Sequence, residues 1–177
     1  MSLCSVFHNG LHSLSSLGAN LRTILTPKIF LSMLYETENC MLDLIAYVDG
    51  GSLGNPGPAG LGVVIEGPET GRITIGKWIG CQDNNVAEYL ALLEALQCAL
   101  TLEARKLHVY SDSQVIVRQM VGHYSCRSPR LYSLNWLCRK LARSLDFSIS
   151  YIRREKNSEA NRLANAAARG QSLSFNS

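Results

Sequence analysis

Asp49 closes an apolar run, residues 42–49 (LDLIAYVD), and Asp112 directly follows a second one, residues 106–111 (KLHVYS). If the two runs are parallel neighbouring strands, their carboxyl ends lie about 4.8 Å apart. That edge is where open α/β sheets bind ligands. Glu88 falls in the first turn of a helical stretch and can point at the same edge. Carboxylates gathered without counter-charge are costly. Two Mg2+ ions are the natural relief, because hard cations prefer carboxylate oxygen and keep some of their water. Taken singly, each acid has an ordinary reading. Asp112 and Glu88 suit a helix N-terminus, and Asp49 could begin a turn. Three acids at one predicted edge point instead to metal-dependent chemistry.

The elements that must position these acids can be read from periodicity. Residues 42–49 are apolar on both faces, as in a central strand. GGSLGNPGPAG follows as a turn-forming segment. Residues 61–66 and 72–79 read as two more strands joined by GPETG, completing an antiparallel meander. From residue 85 to about 102, Tyr89, Leu92, Leu93, Leu96 and Leu100 recur with helical spacing. A fourth strand covers 106–111 and a short helix 112–121. Ser128 and Pro129 supply an N-cap and first-turn proline for a helix reaching about residue 143. A fifth strand covers 147–152. A last helix, 158–169, carries Ala160, Leu163, Ala164 and Ala167 as a small-residue stripe. The expectation is an α/β fold: a five-stranded mixed sheet flanked by helices on both faces, three antiparallel strands preceding two helix-linked parallel ones.

The chain has 177 residues, mean hydropathy +0.03 and net charge +3. The small total hides two opposite halves: residues 1–104 sum to −6 and residues 105–177 to +9. One-sided basicity suits a polyanionic partner, although a basic half can also be merely solvated. No apolar run approaches the roughly 18 residues that span a bilayer. The six cysteines form no CxxC pair, so buried reduced thiols in a reducing, cytoplasmic compartment are expected. Residues 1–40 form an N-terminal extension. It is expected to be disordered, a mitochondrial or plastid transit peptide, or a stretch upstream of a true start at Met33 or Met41. The domain itself covers 41–170, with 171–177 as a tail.

AYVDGGSLGNPGPAGLGVVI, NNVAEYLALLEAL, VYSDSQVIV and REKNSEANRLANAAA resemble, in order, the motifs of the type 1 ribonuclease H family. The resemblance runs from residue 42 to 169. It implies cleavage of the RNA strand of RNA–DNA hybrids at a four-residue site holding two Mg2+, or Mn2+, ions. It implies in-line attack of water that leaves 5′-phosphate and 3′-hydroxyl ends, by a monomer without an obligate protein partner. Asp49, Glu88 and Asp112 match the first three metal-binding positions. Asn55, Asn84, Asn85 and Gln114 match residues facing the RNA strand, where amides suit 2′-hydroxyls. Asn84 and Asn85 could equally cap the helix. Gly50, Gly51 and Gly54 would let backbone amides approach the RNA.

The fourth position departs from the family. Where an aspartate is usual, this chain has Asn161, which keeps an oxygen that could face a metal but brings no charge. Weaker binding of the second ion is expected. The alternative is a weak or inactive hybrid-binding module, and a further rival is a transposase-type core on the same scaffold. The loop histidine of many members is also missing. Arg154, three residues before Asn157, resembles the arginine of the His-less branch; it would stabilise phosphate charge or serve as a plain loop cation. The Lys-rich protruding helix of the family is mostly missing too. Trp136, Lys140 and Arg143 share one helical face that could meet sugar and phosphate, unless Trp136 only covers the edge of the core.

Overall fold

The computed structural model describes residues 42–170. The expectations for residues 1–40 and for the tail lie outside the described residues. The elements are β1 (Asp43–Ser52), β2 (Gly57–Gly67), β3 (Gly71–Gln82), α1 (Asn84–Thr101), β4 (Lys106–Ser111), α2 (Gln114–Met120), α3 (Pro129–Ala142), β5 (Asp146–Tyr151), a 3-10 turn (Arg154–Asn157) and α4 (Ser158–Ala168). The sheet order is β3-β2-β1-β4-β5. β1, β2 and β3 pair antiparallel, whereas β1–β4 and β4–β5 are parallel. This is the expected mixed sheet.

Period-two alternation divides β1 between two layers. Leu44, Ala46 and Val48 join Leu61, Val63, Leu107 and Val109 in one core with α1, which buries Tyr89, Leu92 and Leu96 fully. Burying each such leucine contributes about 2 kcal/mol. Leu93 and Leu100, expected inward, are only half-buried, while Ala91, Ala95 and Ala99 are buried. Small residues serve there because α1 is covered by α3 as well as by the sheet, and the Cys138 thiol lies 3.8 Å from the Tyr89 carbonyl. On the opposite face, the alanine stripe of α4 lies directly on β2. A Cβ added at Gly62 would come within 2.0 Å of the Ala160 carbonyl oxygen.

Three departures from the sequence reading bear on the site and its supports. The glycine-rich segment is mostly ladder rather than turn: Gly50 pairs with Leu61, Gly51 with Gly60 and Ser52 with Ala59. Only residues 53–56 lie between β1 and β2, closed by a 2.7 Å bond from Leu53 N to the Pro58 carbonyl. Glycine was taken as punctuation where it serves close packing. A Cβ at Gly50 would stand 2.1 Å from the Ala87 carbonyl carbon, so α1 can sit on β1 only at a residue without a side chain. Second, α2 begins at Gln114, because Ser113 N donates to Ser111 Oγ in a turn that carries Asp112 outside the helix. Third, Ser128 stands at the start of α3 but makes no side-chain cap bond.

A buried polar relay ties three helices together. Tyr89 Oη donates to Gln119 Oε1 at 2.6 Å, and Asn135 Nδ2 donates to Tyr89 Oη at 3.0 Å. Cys81, Cys98, Cys126 and Cys138 are all free thiols, and burial pushes Cys138 up to about 12, which leaves it unreactive. No described helix is long and apolar enough to cross a membrane.

Candidate active site

β1 is held differently along its two edges. Its parallel ladder with β4 ends at Val48–Ser111, whereas its antiparallel ladder with β2 continues to Ser52. Asp49 is the first residue past the fork, and Asp112 is the first residue after β4. The two carboxyls lie close enough for the charge of Asp112 to raise Asp49. Glu88 approaches from α1, whose first turn is pinned against Gly50.

Burial and neighbouring charge act on Asp49 and Glu88. Burial, followed by the charge of Asp112, pushes Asp49 up to about 7, while the Arg154 guanidinium and the Asn161 bond pull it the other way. Burial likewise pushes Glu88 up to about 7, against hydrogen bonds from the Ser113 hydroxyl and from Asn84. Arg154 is itself exposed at the start of the 3-10 turn. Among the described residues, no three acid, His or Cys side chains close on one point as a finished cation cage. The donor set nevertheless fits a divalent cation: hard oxygens, half-buried or buried, that resist ionising together.

Amides surround the acids. Asn84 Nδ2 donates to Glu88 Oε1 at 3.1 Å, and Asn84 N donates to Asn55 Oδ1 at 3.1 Å. The helix is therefore capped from the β1–β2 connection, and not by Asn84 or Asn85. Asn85 and Gln114 are exposed nearby on the first turns of α1 and α2. A Cβ at Gly51 would meet open space, whereas Gly50 is buried beneath α1.

Asn161 Nδ2 donates to Asp49 Oδ2 at 3.0 Å, so the amide turns its nitrogen, not its oxygen, to the acids. Its oxygen accepts from Asn165 Nδ2 at 3.0 Å. Asn157 was missed by sequence reasoning. It is 1% exposed and donates from Nδ2 to both the Val48 carbonyl and Asp112 Oδ1, each at 2.9 Å. Its own Oδ1 has no partner. The available signal was the spacing: Asn157, Asn161 and Asn165 recur every fourth residue, forming one stripe along α4.

A cavity of about 840 Å3 lies elsewhere, beside Ile45, Arg72, Lys106, His108 and Tyr110. None of the candidate site residues lines it.

A mixed sheet of this order, with acids at the fork between its central parallel strands, defines a ribonuclease H-like fold. Residues 47–167 match the reverse transcriptase-like family. Ribonuclease HI of Halobacterium salinarum is 37% identical over 124 residues, 69% of this chain and 62% of that protein. The crystal structure of that organism's RNase H1 aligns over 72% of this chain and 98% of its own, with 35% identity and a TM-score of 0.68. The N-terminal RNase H domain of Rv2228c from Mycobacterium tuberculosis aligns over 73% and 96%, with 35% identity and a TM-score of 0.69. LC11-RNase H1, solved in complex with RNA/DNA hybrid, is 36% identical and aligns over 72% and 98%, with a TM-score of 0.66. The chain belongs to the ribonuclease H family. It spans less than two thirds of the curated relatives' own length, and only 35% of the full mycobacterial protein.

Proposed function

We propose that this chain hydrolyses the RNA strand of RNA–DNA hybrids with the help of divalent cations. The observation that carries the proposal is the gathering of Asp49, Asp112 and Glu88 at one sheet edge, each bonded by an amide: Asn161 on Asp49, Asn157 on Asp112 and Asn84 on Glu88. Asp49, Glu88 and Asp112 would hold Mg2+ or Mn2+. Bound there, the cations would make water more acidic and offset charge on the departing 3′-oxygen. Asn157 holds Asp112, while Asn84 and Ser113 orient Glu88. Arg154 would face the non-bridging phosphate oxygens, and as a permanent cation it serves as an electrostatic partner, not a base. Asn55, Asn84, Asn85 and Gln114 offer the donors and acceptors that distinguish 2′-hydroxyls, and Gly51 offers its backbone.

The outer face of α3 would carry the duplex further. Trp136 is 55% exposed and Lys140 stands 5.1 Å from its ring, so this side chain is not the edge of the core. No carboxylate occurs from residue 113 to 145, and a cationic, ring-bearing surface of this kind suits a phosphate backbone.

One observation favours a second reading, a hybrid-binding module without cleavage: Asn161 presents a donor where a fourth ligand is expected. Labelled RNA–DNA hybrid, double-stranded RNA and double-stranded DNA, each incubated with Mg2+ or Mn2+, separate the readings. Cleavage of the hybrid alone, lost in Asp49→Asn, is the expected result. Binding without cleavage under either cation would establish the second reading, and cleavage or joining of double-stranded DNA would establish the transposase-type rival.

A further inference from the structure

The orientation of the Asn161 amide follows from its neighbours. Asn165 Nδ2 lies 2.9 Å from the Asn161 carbonyl oxygen, which can only accept, so the Asn165 group at that point must be its NH2. The same NH2 lies 3.0 Å from the end of the Asn161 side chain, and the atom there must therefore be oxygen. That leaves the Asn161 nitrogen facing Asp49 Oδ2, the one arrangement in which an ionised Asp49 receives a donor. Rotating the Asn161 amide by half a turn would set NH2 against NH2 and oxygen against carboxylate. Both contacts would turn repulsive together.

We propose that Asn165 is a positioning residue: it locks the Asn161 nitrogen onto Asp49, making the fourth position of the site a hydrogen-bond donor in place of a cation ligand. The inference rests on the reading of Asp49, Glu88 and Asp112 as the cation-holding acids. One lone pair of Asp49 is thereby committed to Asn161, whose side chain would offer a cation no oxygen. Both side-chain hydrogen bonds of Asn165 go to Asn161, so its action on the acids runs through that residue.

The test uses the full chain without nucleic acid, so it is read independently of hybrid cleavage. Mn2+ is titrated calorimetrically into the native chain, Asn165→Ala, Asn161→Ala and the double variant. Asn165→Ala frees the Asn161 amide to turn its oxygen inward and should tighten Mn2+ by about tenfold, the lower end of what residues behind a ligand do. Asn161→Ala should change little in the native background and should abolish the gain in the Asn165→Ala background. In nitrogen-15 spectra, the Asn161 side-chain NH2 should move toward the position of a free amide when Asn165 becomes Ala. Circular dichroism confirms folding, and Asn165→Ser repeats the test should the alanine variant fail to fold. Unchanged or weaker Mn2+ binding in Asn165→Ala, an unmoved Asn161 NH2, or a clear loss of Mn2+ affinity in Asn161→Ala alone would each overturn the proposal. A chain that binds Mn2+ as expected yet leaves hybrid intact would sink the proposed function and spare this inference.

Discussion

Asn157 bonds Asp112 and the Val48 carbonyl with the same amide nitrogen, so one buried side chain fixes the second acid to the strand that carries the first. Removing that nitrogen takes a buried donor from both the Val48 carbonyl and Asp112 Oδ1. Asn157→Ala should cost about 1–3 kcal/mol of stability and lower kcat much more than it raises KM. Urea unfolding and steady-state cleavage of a labelled hybrid read the two effects. A variant of native stability and native kcat would show that Asp112 is held by other means.

Adjacent glycines should behave in opposite ways. A methyl group at Gly50 meets the backbone of Ala87 and Glu88 at 2.1–2.3 Å, whereas one at Gly51 meets nothing within 4 Å. Gly50→Ala should therefore displace α1 and abolish both cooperative unfolding and cleavage. Gly51→Ala should fold with a melting temperature within a few degrees of native. Thermal melts of the pair decide the matter, and equal tolerance would refute the contact.

The raised carboxyls set a pH dependence. Burial pushes Asp49 and Glu88 up to about 7 in the folded chain, against ordinary values of 3.8 and 4.5. Through that interval the folded state holds protons that the unfolded state has released. The stability of the cation-free chain is thus greatest at the acid end and falls as pH rises through about 7. The melting temperature without divalent cations should be several degrees higher at pH 5 than at pH 8, and millimolar Mg2+ should recover the difference at pH 8. Asp49→Asn should flatten the profile. A cation-free melting temperature that rises with pH would contradict the assignment.

Restoring the fourth acid should strengthen cation binding. Asn161→Asp replaces the donor beside Asp49 with a carboxylate, and should lower the Mn2+ concentration for half-maximal cleavage about tenfold. The same change adds a like charge, so the cation-free chain should melt lower at neutral pH. An unchanged Mn2+ requirement would mean that charge at this position does not limit binding.

Trp136→Ala removes an exposed ring that lies under Lys140. It should weaken hybrid binding by about 1 kcal/mol, raising KM with kcat preserved, and the loss should shrink as salt is added. An unaltered KM at low salt would remove α3 from the duplex path.

The sequence made the sheet and its fork legible because both depend on local period and on strand order. The β4 limits were read without error, and α4 begins at Ser158 as expected. What escaped depends on close approach between distant segments. Gly50 and Gly51 look alike in a glycine-rich string, and only the arrival of α1 separates a packing glycine from an open one. Trp136, Lys140 and Arg143 were placed on one face, but exposure of that face depends on where α3 lies. Asn157 was overlooked because an asparagine before a helix reads as a cap; here it makes no cap bond and reaches instead to β1 and Asp112. The four-residue recurrence of Asn157, Asn161 and Asn165 was in plain view, yet its direction was set by the sheet beneath it.

The central position of β1 has a consequence for how the chain is made. β1 is the first described strand, and its β2 edge is completed within the adjacent hairpin. Its other edge waits for β4, beyond the whole of α1. A ribosome releases the chain from its N-terminus, so the meander can close once residue 82 is clear while the β4 edge of β1 stands empty until residue 111 emerges. Open apolar strand edges recruit foreign strands. That interval of synthesis is when this protein most needs shelter, and slowed translation between those two points should raise its yield of misassembled chains.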